Sequence, residues 1–130
     1  MATDFEIVLS SFGFKHGPPV EADCVFDARV LHNPFWVAEL RPHDGRQKDV
    51  QEYVFTDPGA EEFVSGIQAE ISRYMDDFSA RDKHLLRVAV GCTGGRHRSV
   101  AVVEALATRY QAEPVKVHVN HRDVEIPDPR

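Results

Sequence analysis

Leu85-Leu-Arg-Val-Ala-Val-Gly-Cys-Thr-Gly-Gly-Arg-His-Arg-Ser99 decides how this chain is read. Its opening residues are apolar apart from Arg87, and their number suits a strand, predicted over Leu85–Val90. The glycine-rich turn that follows opens a helix predicted from about His97 to Tyr110, with Val103, Leu106, Ala107 and Tyr110 as its inner stripe. A strand, a glycine turn and a helix in that order aim several backbone N–H groups at one point. The helix dipole adds partial positive charge there, so the turn suits an anion such as phosphate.

Outward from this turn the same pattern recurs. Phe5–Leu9 is a short apolar run that reads as a buried strand opening onto a loop over Ser10–Gly17, and Gly17-Pro18-Pro19 forbids a helix there. Cys24–Asp27 reads as a second strand, followed by an irregular stretch through Asn33-Pro34 to Pro42 and a short helix within 47–56. Asp57-Pro58-Gly59 starts a longer helix over 60–78, in which Phe63, Ile67, Ile71, Tyr74 and Phe78 recur at the spacing of one face. Pro114 precedes a last strand, Val115–Val119, while the first three residues and Ile126–Arg130 read as loose ends. The order predicts one α/β domain over residues 1–130. A short, mostly parallel sheet is covered by helices, and the phosphate-binding turn lies between the third strand and the helix after it.

Composition narrows the function. Fifteen Lys and Arg against 21 Asp and Glu leave a formal charge of −6 over 130 residues, so a nucleic-acid partner has to meet a local basic patch. No apolar stretch has the length of a membrane helix, and the first residues do not form a secretory signal. Two cysteines, Cys24 and Cys92, are too few for a disulfide scaffold, and a reduced, cytoplasmic setting is expected.

In parallel α/β sheets ligands sit outside the carboxyl ends of the strands. Behind the first strand come Ser10, Ser11, Lys15, His16 and Gly17; behind the second, Asp27 and Arg29; behind the third, Cys92 to Ser99; behind the fourth, Asn120, His121, Arg122 and Asp123. Gly94 and Gly95 let backbone approach a ligand, Arg96 and Arg98 offer guanidinium forks, and Thr93 and Ser99 offer hydroxyls. His97 adds a polarity that pH can change. In the plainer reading the glycines serve close packing and the arginines are solvated. Gly-Lys occurs nowhere, which excludes a nucleotide-triphosphate loop, and no cofactor is implied. His118 and His121 lie on opposite sides of a strand and predict no metal site. Trp36, Phe35 and Phe26 are candidates for stacking a base or sugar, with core packing favoured for Phe26.

The turn also spells Cys92-x-x-Gly95-x-x-Arg98-Ser99, a spacing that resembles the protein tyrosine phosphatases. On that alternative Cys92 is a thiolate nucleophile, Arg98 clamps the phosphate, and Asp27 or Asp123 supplies the proton. A small, buried, inert Cys92 is the commoner fate of such a residue.

Taken together, Ser10-Ser-Phe-Gly-Phe-Lys-His-Gly17, Asp23-Cys-Val-Phe-Asp-Ala-Arg29, Asn33-Pro-Phe-Trp36, Gly91-Cys-Thr-Gly-Gly-Arg-His-Arg-Ser-Val100 and His121-Arg122 resemble the C-terminal domain of the RapZ family of RNase adapter proteins. The resemblance implies a regulatory domain, not a catalyst, that senses glucosamine-6-phosphate, binds small RNA and self-associates. It places His16, Gly17, Asp27, Arg29, Cys92, Thr93, Gly94, Gly95, His97, Arg98 and Ser99 in the ligand pocket, with His121 and Arg122 as RNA-contact candidates. Longer members carry an N-terminal nucleotide-binding domain. The chain is therefore read as a stand-alone version, with a separate nucleotide-binding protein as a candidate partner. The third place of Asn33-Pro-x-Trp36, often His or Tyr in the family, is Phe35 here, and the ending Asp-Val-Glu-Ile-Pro-Asp-Pro-Arg replaces a basic tail. That ending and the charge of −6 weigh against RNA.

Overall fold

The structure, a computed structural model, describes residues 5–19 and 21–127, so the expectations for the first three residues and for 128–130 lie outside the described part. Among the described residues four strands are found: β1 (Glu6–Gly13), β2 (Cys24–Asp27), β3 (Leu85–Cys92) and β4 (Lys116–His121). Three α-helices join them: α1 (Lys48–Val54), α2 (Ala60–Ala80) and α3 (Arg98–Tyr110). The sheet order is β2-β3-β1-β4, and every neighbouring pair is parallel.

Alternation along β1 puts Ile7 and Leu9 on the face that also carries Leu86 and Val88, their partners across the ladder. Against that face pack Val50 and Val54 of α1, Val64, Ile67 and Ile71 of α2, and Val102, Val103 and Leu106 of α3. Burying this set supplies the main driving force of the fold. The buried stripe of α2 is Ala60, Val64, Ile67 and Ile71, whereas Phe63, Tyr74 and Phe78 are half-buried at its border. The expected face is therefore rotated. Large aromatic rings reach the core edge from a flanking row, while smaller residues take the positions of closest approach.

Three strands depart from their expected bounds: β3 runs to Cys92 rather than Val90, β4 spans Lys116–His121 rather than Val115–Val119, and β1 changes most. Ser10–Gly13 continues β1, because Ser10 pairs with Ala89, Ser11 with Val90, Phe12 with Gly91 and Gly13 with Cys92. The serines are polar but their backbone is fully used by a central strand. The stretch expected to be irregular contains two single 3₁₀ turns, Ala28–Val30 and Pro34–Trp36, capped by the side chains of Asp27 and Asn33.

Candidate functional site

Since all four strands run the same way, their carboxyl ends share one edge. Gly13 lies opposite Cys92, Asp27 opposite Gly91, and Ser11 opposite His121. The four polar sets expected from the sequence therefore meet.

The turn between β3 and α3 folds back onto the end of β1. Gly95 has φ +79° and a Cβ there would lie 2.5 Å from the Gly13 nitrogen; a Cβ on Gly13 would collide with the Gly94 carbonyl group. The glycines thus serve a close approach of two backbones, the packing role anticipated by the plainer reading. Lys15, exposed, ties the two segments further by donating its N–H to the Thr93 carbonyl at 3.1 Å. His97 is the N-cap of α3 and its side chain makes no cap hydrogen bond, so the first-turn amides lack a side-chain acceptor there.

Side chains of this turn mostly face inward. Arg98 is 4% exposed and donates from Nη1 to the carbonyls of Arg29 at 2.8 Å and Leu31 at 3.4 Å, with Nη2 3.5 Å from Thr93 Oγ1. His97 is buried and its Nε2 donates to the Arg41 carbonyl, since that oxygen can only accept. Arg96 turns away to the carbonyls of Val124 at 3.0 Å and Pro42 at 3.4 Å. These three residues, expected among the ligand-binding side chains, bond to main-chain carbonyls of the loops at this edge. Ser99 is buried against Cys92, Oγ to Sγ 3.2 Å.

Arg29, like Lys15, is an exposed charge at this edge. Its guanidinium is gripped bidentately by Asp27, Nη2 to Oδ2 2.7 Å and Nε to Oδ1 2.9 Å, and lies 4.2 Å from the Phe14 ring centroid. The hydrogen bonds from Arg29 hold the Asp27 carboxyl below the usual range despite some desolvation. Phe14 went unnoticed in the sequence; its place directly before Lys15-His16, behind a strand end, was the available signal.

Across the edge, Asp123 is 3% exposed and accepts from the Gly13 N–H at 2.7 Å and from Arg122 through both oxygens, at 2.9 and 2.7 Å. Burial pushes its carboxyl up, but Arg122, the Gly13 amide and the nearby His16 outweigh that and leave it lowered. Arg122 reaches on to the carbonyls of Gly17 at 2.7 Å and Pro18 at 3.2 Å, fastening the loop that carries His16. The His16 Nε2 atom is buried with no hydrogen-bond partner among the described residues. Asp123, expected at this edge and as an alternative proton donor, anchors this loop.

His121, its side chain 9% exposed, makes two contacts, Nδ1 to Ser11 Oγ 2.7 Å and Nε2 to Glu104 Oε2 2.8 Å. Nε2 donates to the Glu104 carboxylate, which can only accept. With Arg122 engaged as well, neither RNA-contact candidate presents a free side chain. Of the stacking candidates, Phe35 is buried, Phe26 packs against the core and Trp36 is 69% exposed.

The phosphatase alternative finds neither an accessible nucleophile nor a protonated acid. Cys92 is 1% exposed, the Arg98 fork is spent on main-chain carbonyls, and Asp27 and Asp123 are both held ionised at neutral pH. Of three cavities among the described residues, those of about 320 and 130 Å³ lie away from this edge, and the one of about 390 Å³ is lined in part by Ala101 and by Glu104, the partner of His121.

Fold and site define a small all-parallel α/β domain whose strand ends, glycine turn and helix start converge on one polar edge. The sequence model of the RapZ C-terminal domain matches residues 5–125, and the chain belongs to that family. A protein of Bifidobacterium adolescentis named nucleotide-binding protein is 46% identical over 123 residues, covering 95% of this chain and 40% of its own length. Proteins of the same name from Mycobacterium sp. (strain KMS) and Corynebacterium diphtheriae are 48% and 46% identical over 89% and 91% of this chain. The chain spans about two fifths of the length of these curated relatives. No helix among the described residues is long and apolar enough to cross a membrane.

Proposed function

We propose that this domain is a regulatory adapter that binds a phosphorylated small molecule, an amino-sugar phosphate such as glucosamine-6-phosphate, at the carboxyl edge of its sheet. The observation that carries the reading is the uncapped N-terminus of α3 at that edge, beside the half-exposed Arg29. Phosphate oxygens would accept from the turn amides of Thr93 to Gly95 and from Arg29, with Lys15 and His16 at the border. The ionised Asp27 suits a hydroxyl or ammonium on the same ligand. Family membership supports small RNA and a second copy of the chain as further partners, and the relatives' shared name supports a nucleotide-binding one.

Amide NMR titrations with glucosamine-6-phosphate, inorganic phosphate and glucosamine test this. Saturable shifts at Thr93–Gly95 are expected for the two phosphates, strongest for the sugar phosphate, and Arg29→Glu should weaken them about tenfold, or 1.4 kcal/mol. No shift at millimolar ligand sinks the reading. For RNA, retardation of a structured RNA should weaken steeply with salt; a flat response eliminates phosphate-led binding.

A further inference from the structure

On the connection between β2 and α1, the 3₁₀ turn Pro34–Trp36 presents an indole that is 69% exposed. One exposed apolar residue is ordinary; the way this one is mounted is not. Pro34 fixes its own φ, and Asn33 Oδ1 caps the turn by accepting from the Phe35 N–H at 3.1 Å. Phe35, 3% exposed, sets its ring edge-on to the indole, with centroids 5.0 Å apart and planes at 89°. The indole is thus held before any ligand arrives, and little side-chain freedom is lost on binding.

Arg41 stands at the same buried ring. Its guanidinium lies 4.8 Å from the Phe35 centroid, and its Nε donates to the Phe35 carbonyl at 2.7 Å. Among the described residues Nη1 and Nη2 have no hydrogen-bond partner and the side chain makes no ion pair. Arg29, Arg46 and Arg122, by contrast, are each clamped by an aspartate. The Arg41 charge therefore stays uncompensated, and its two outer nitrogens form a fork of the kind that matches phosphate. Because indole and guanidinium border one ring, one or two nucleotides can touch both.

We propose that Trp36 and Arg41 form a platform for an unpaired nucleotide, the indole stacking on the base and the guanidinium holding a phosphate. A sugar phosphate without a base lacks the flat π-face, and Arg41 repels a cation. A base inside a duplex already stacks on its neighbours and cannot lie on the indole. The same chemistry is offered by a free nucleotide and by single-stranded RNA. The platform rests on the RNA side of the proposed function and is independent of the phosphosugar side, so absent shifts at Thr93–Gly95 leave it standing.

Trp36 is the chain's only tryptophan, so its fluorescence reports this place alone. Single-stranded oligouridylate should quench it saturably, and ribose-5-phosphate should not. Arg41→Gln should weaken that binding about tenfold while the emission maximum of the free protein stays in place. With a labelled oligouridylate read by anisotropy, Trp36→Leu should also lose about tenfold, and Trp36→Tyr should restore most of it. Tighter binding of the oligonucleotide than of uridine monophosphate would assign the platform to a strand, and equal binding to a free nucleotide. No quenching, equal binding of duplex and single strand, or unchanged affinity in Trp36→Leu would overturn the proposal. Retardation of RNA that persists undiminished in Trp36→Leu would sink the platform alone and leave RNA binding to other residues.

Discussion

At Gly95 two costs would fall on any side chain together. The backbone is left-handed, and a Cβ would press on the Gly13 nitrogen at 2.5 Å and the Phe12 carbonyl carbon at 2.8 Å. Gly95→Ala should therefore destabilise by roughly 2–4 kcal/mol, seen as a lower urea midpoint at unchanged m. Gly17 is the control: its φ is +95° but nothing lies within 4 Å of a Cβ, so Gly17→Ala should cost only backbone strain, roughly 1–2 kcal/mol. Equal losses at both positions would show that the close approach of the two backbones contributes nothing. Arg98 argues similarly from its surroundings. Arg98→Met keeps the length but leaves the Arg29 and Leu31 carbonyls without their buried donor, and should cost roughly 2–4 kcal/mol by the same measurement; a loss under 0.5 kcal/mol, the scale of a neutral surface change, would show that the fork holds nothing. Residue chemistry at the turn was legible, but its direction was not. Arg98 bonds a carbonyl 69 residues away, and no local spacing encodes such a contact.

The length of an element is set by its neighbours as much as by its own residues, and β1 illustrates this. Ser10-Ser11 breaks the apolar run of Phe5–Leu9, yet the strand continues because β3 lies on one side to Gly13 and β4 on the other to Ser11. Ser11 is then fully buried, with its hydroxyl matched by His121. Periodicity sees a polar pair and expects a loop; it cannot see that a histidine 110 positions later supplies the partner. Conversely β2, at the sheet's edge and free of such help, kept the bounds its sequence suggests. Hydrogen exchange separates the two views of β1. Amides of Ser11 and Phe12 should exchange only through global unfolding, with the same free energy as those of Val88 and Val90, whereas loop amides would exchange orders of magnitude faster.

On the scale of the whole molecule, the convergence of the site was readable because parallel connectivity alone sends every strand end to one edge. What was not readable is how much of that edge is structural bracing, since ion pairs between distant loops depend on the finished fold. Those pairs make a pH prediction. Asp27, Asp44 and Asp123 all sit below the ordinary carboxyl range: Asp27 chiefly through hydrogen bonds from Arg29, the other two because Arg46 and Arg122 outweigh the upward push of burial. A carboxyl whose folded pKa is depressed contributes stability above its unfolded value, about 3.9, and loses it as pH falls through the folded value. Stability should therefore hold nearly level from pH 7 to pH 5 and fall below about pH 4, where these groups protonate in the unfolded chain first. Asp27 and Arg29 are about half exposed and contribute little, so the effect belongs mainly to the buried Asp44 and Asp123. Asp123→Asn removes that titration and leaves Arg122 without its carboxylate partner, so the variant should be less stable at pH 7 and its urea midpoint should approach the wild type's near pH 3. Midpoints that stay parallel from pH 7 to pH 3 would mean that the clamp between Gly13, Arg122 and the His16 loop does not depend on the Asp123 charge.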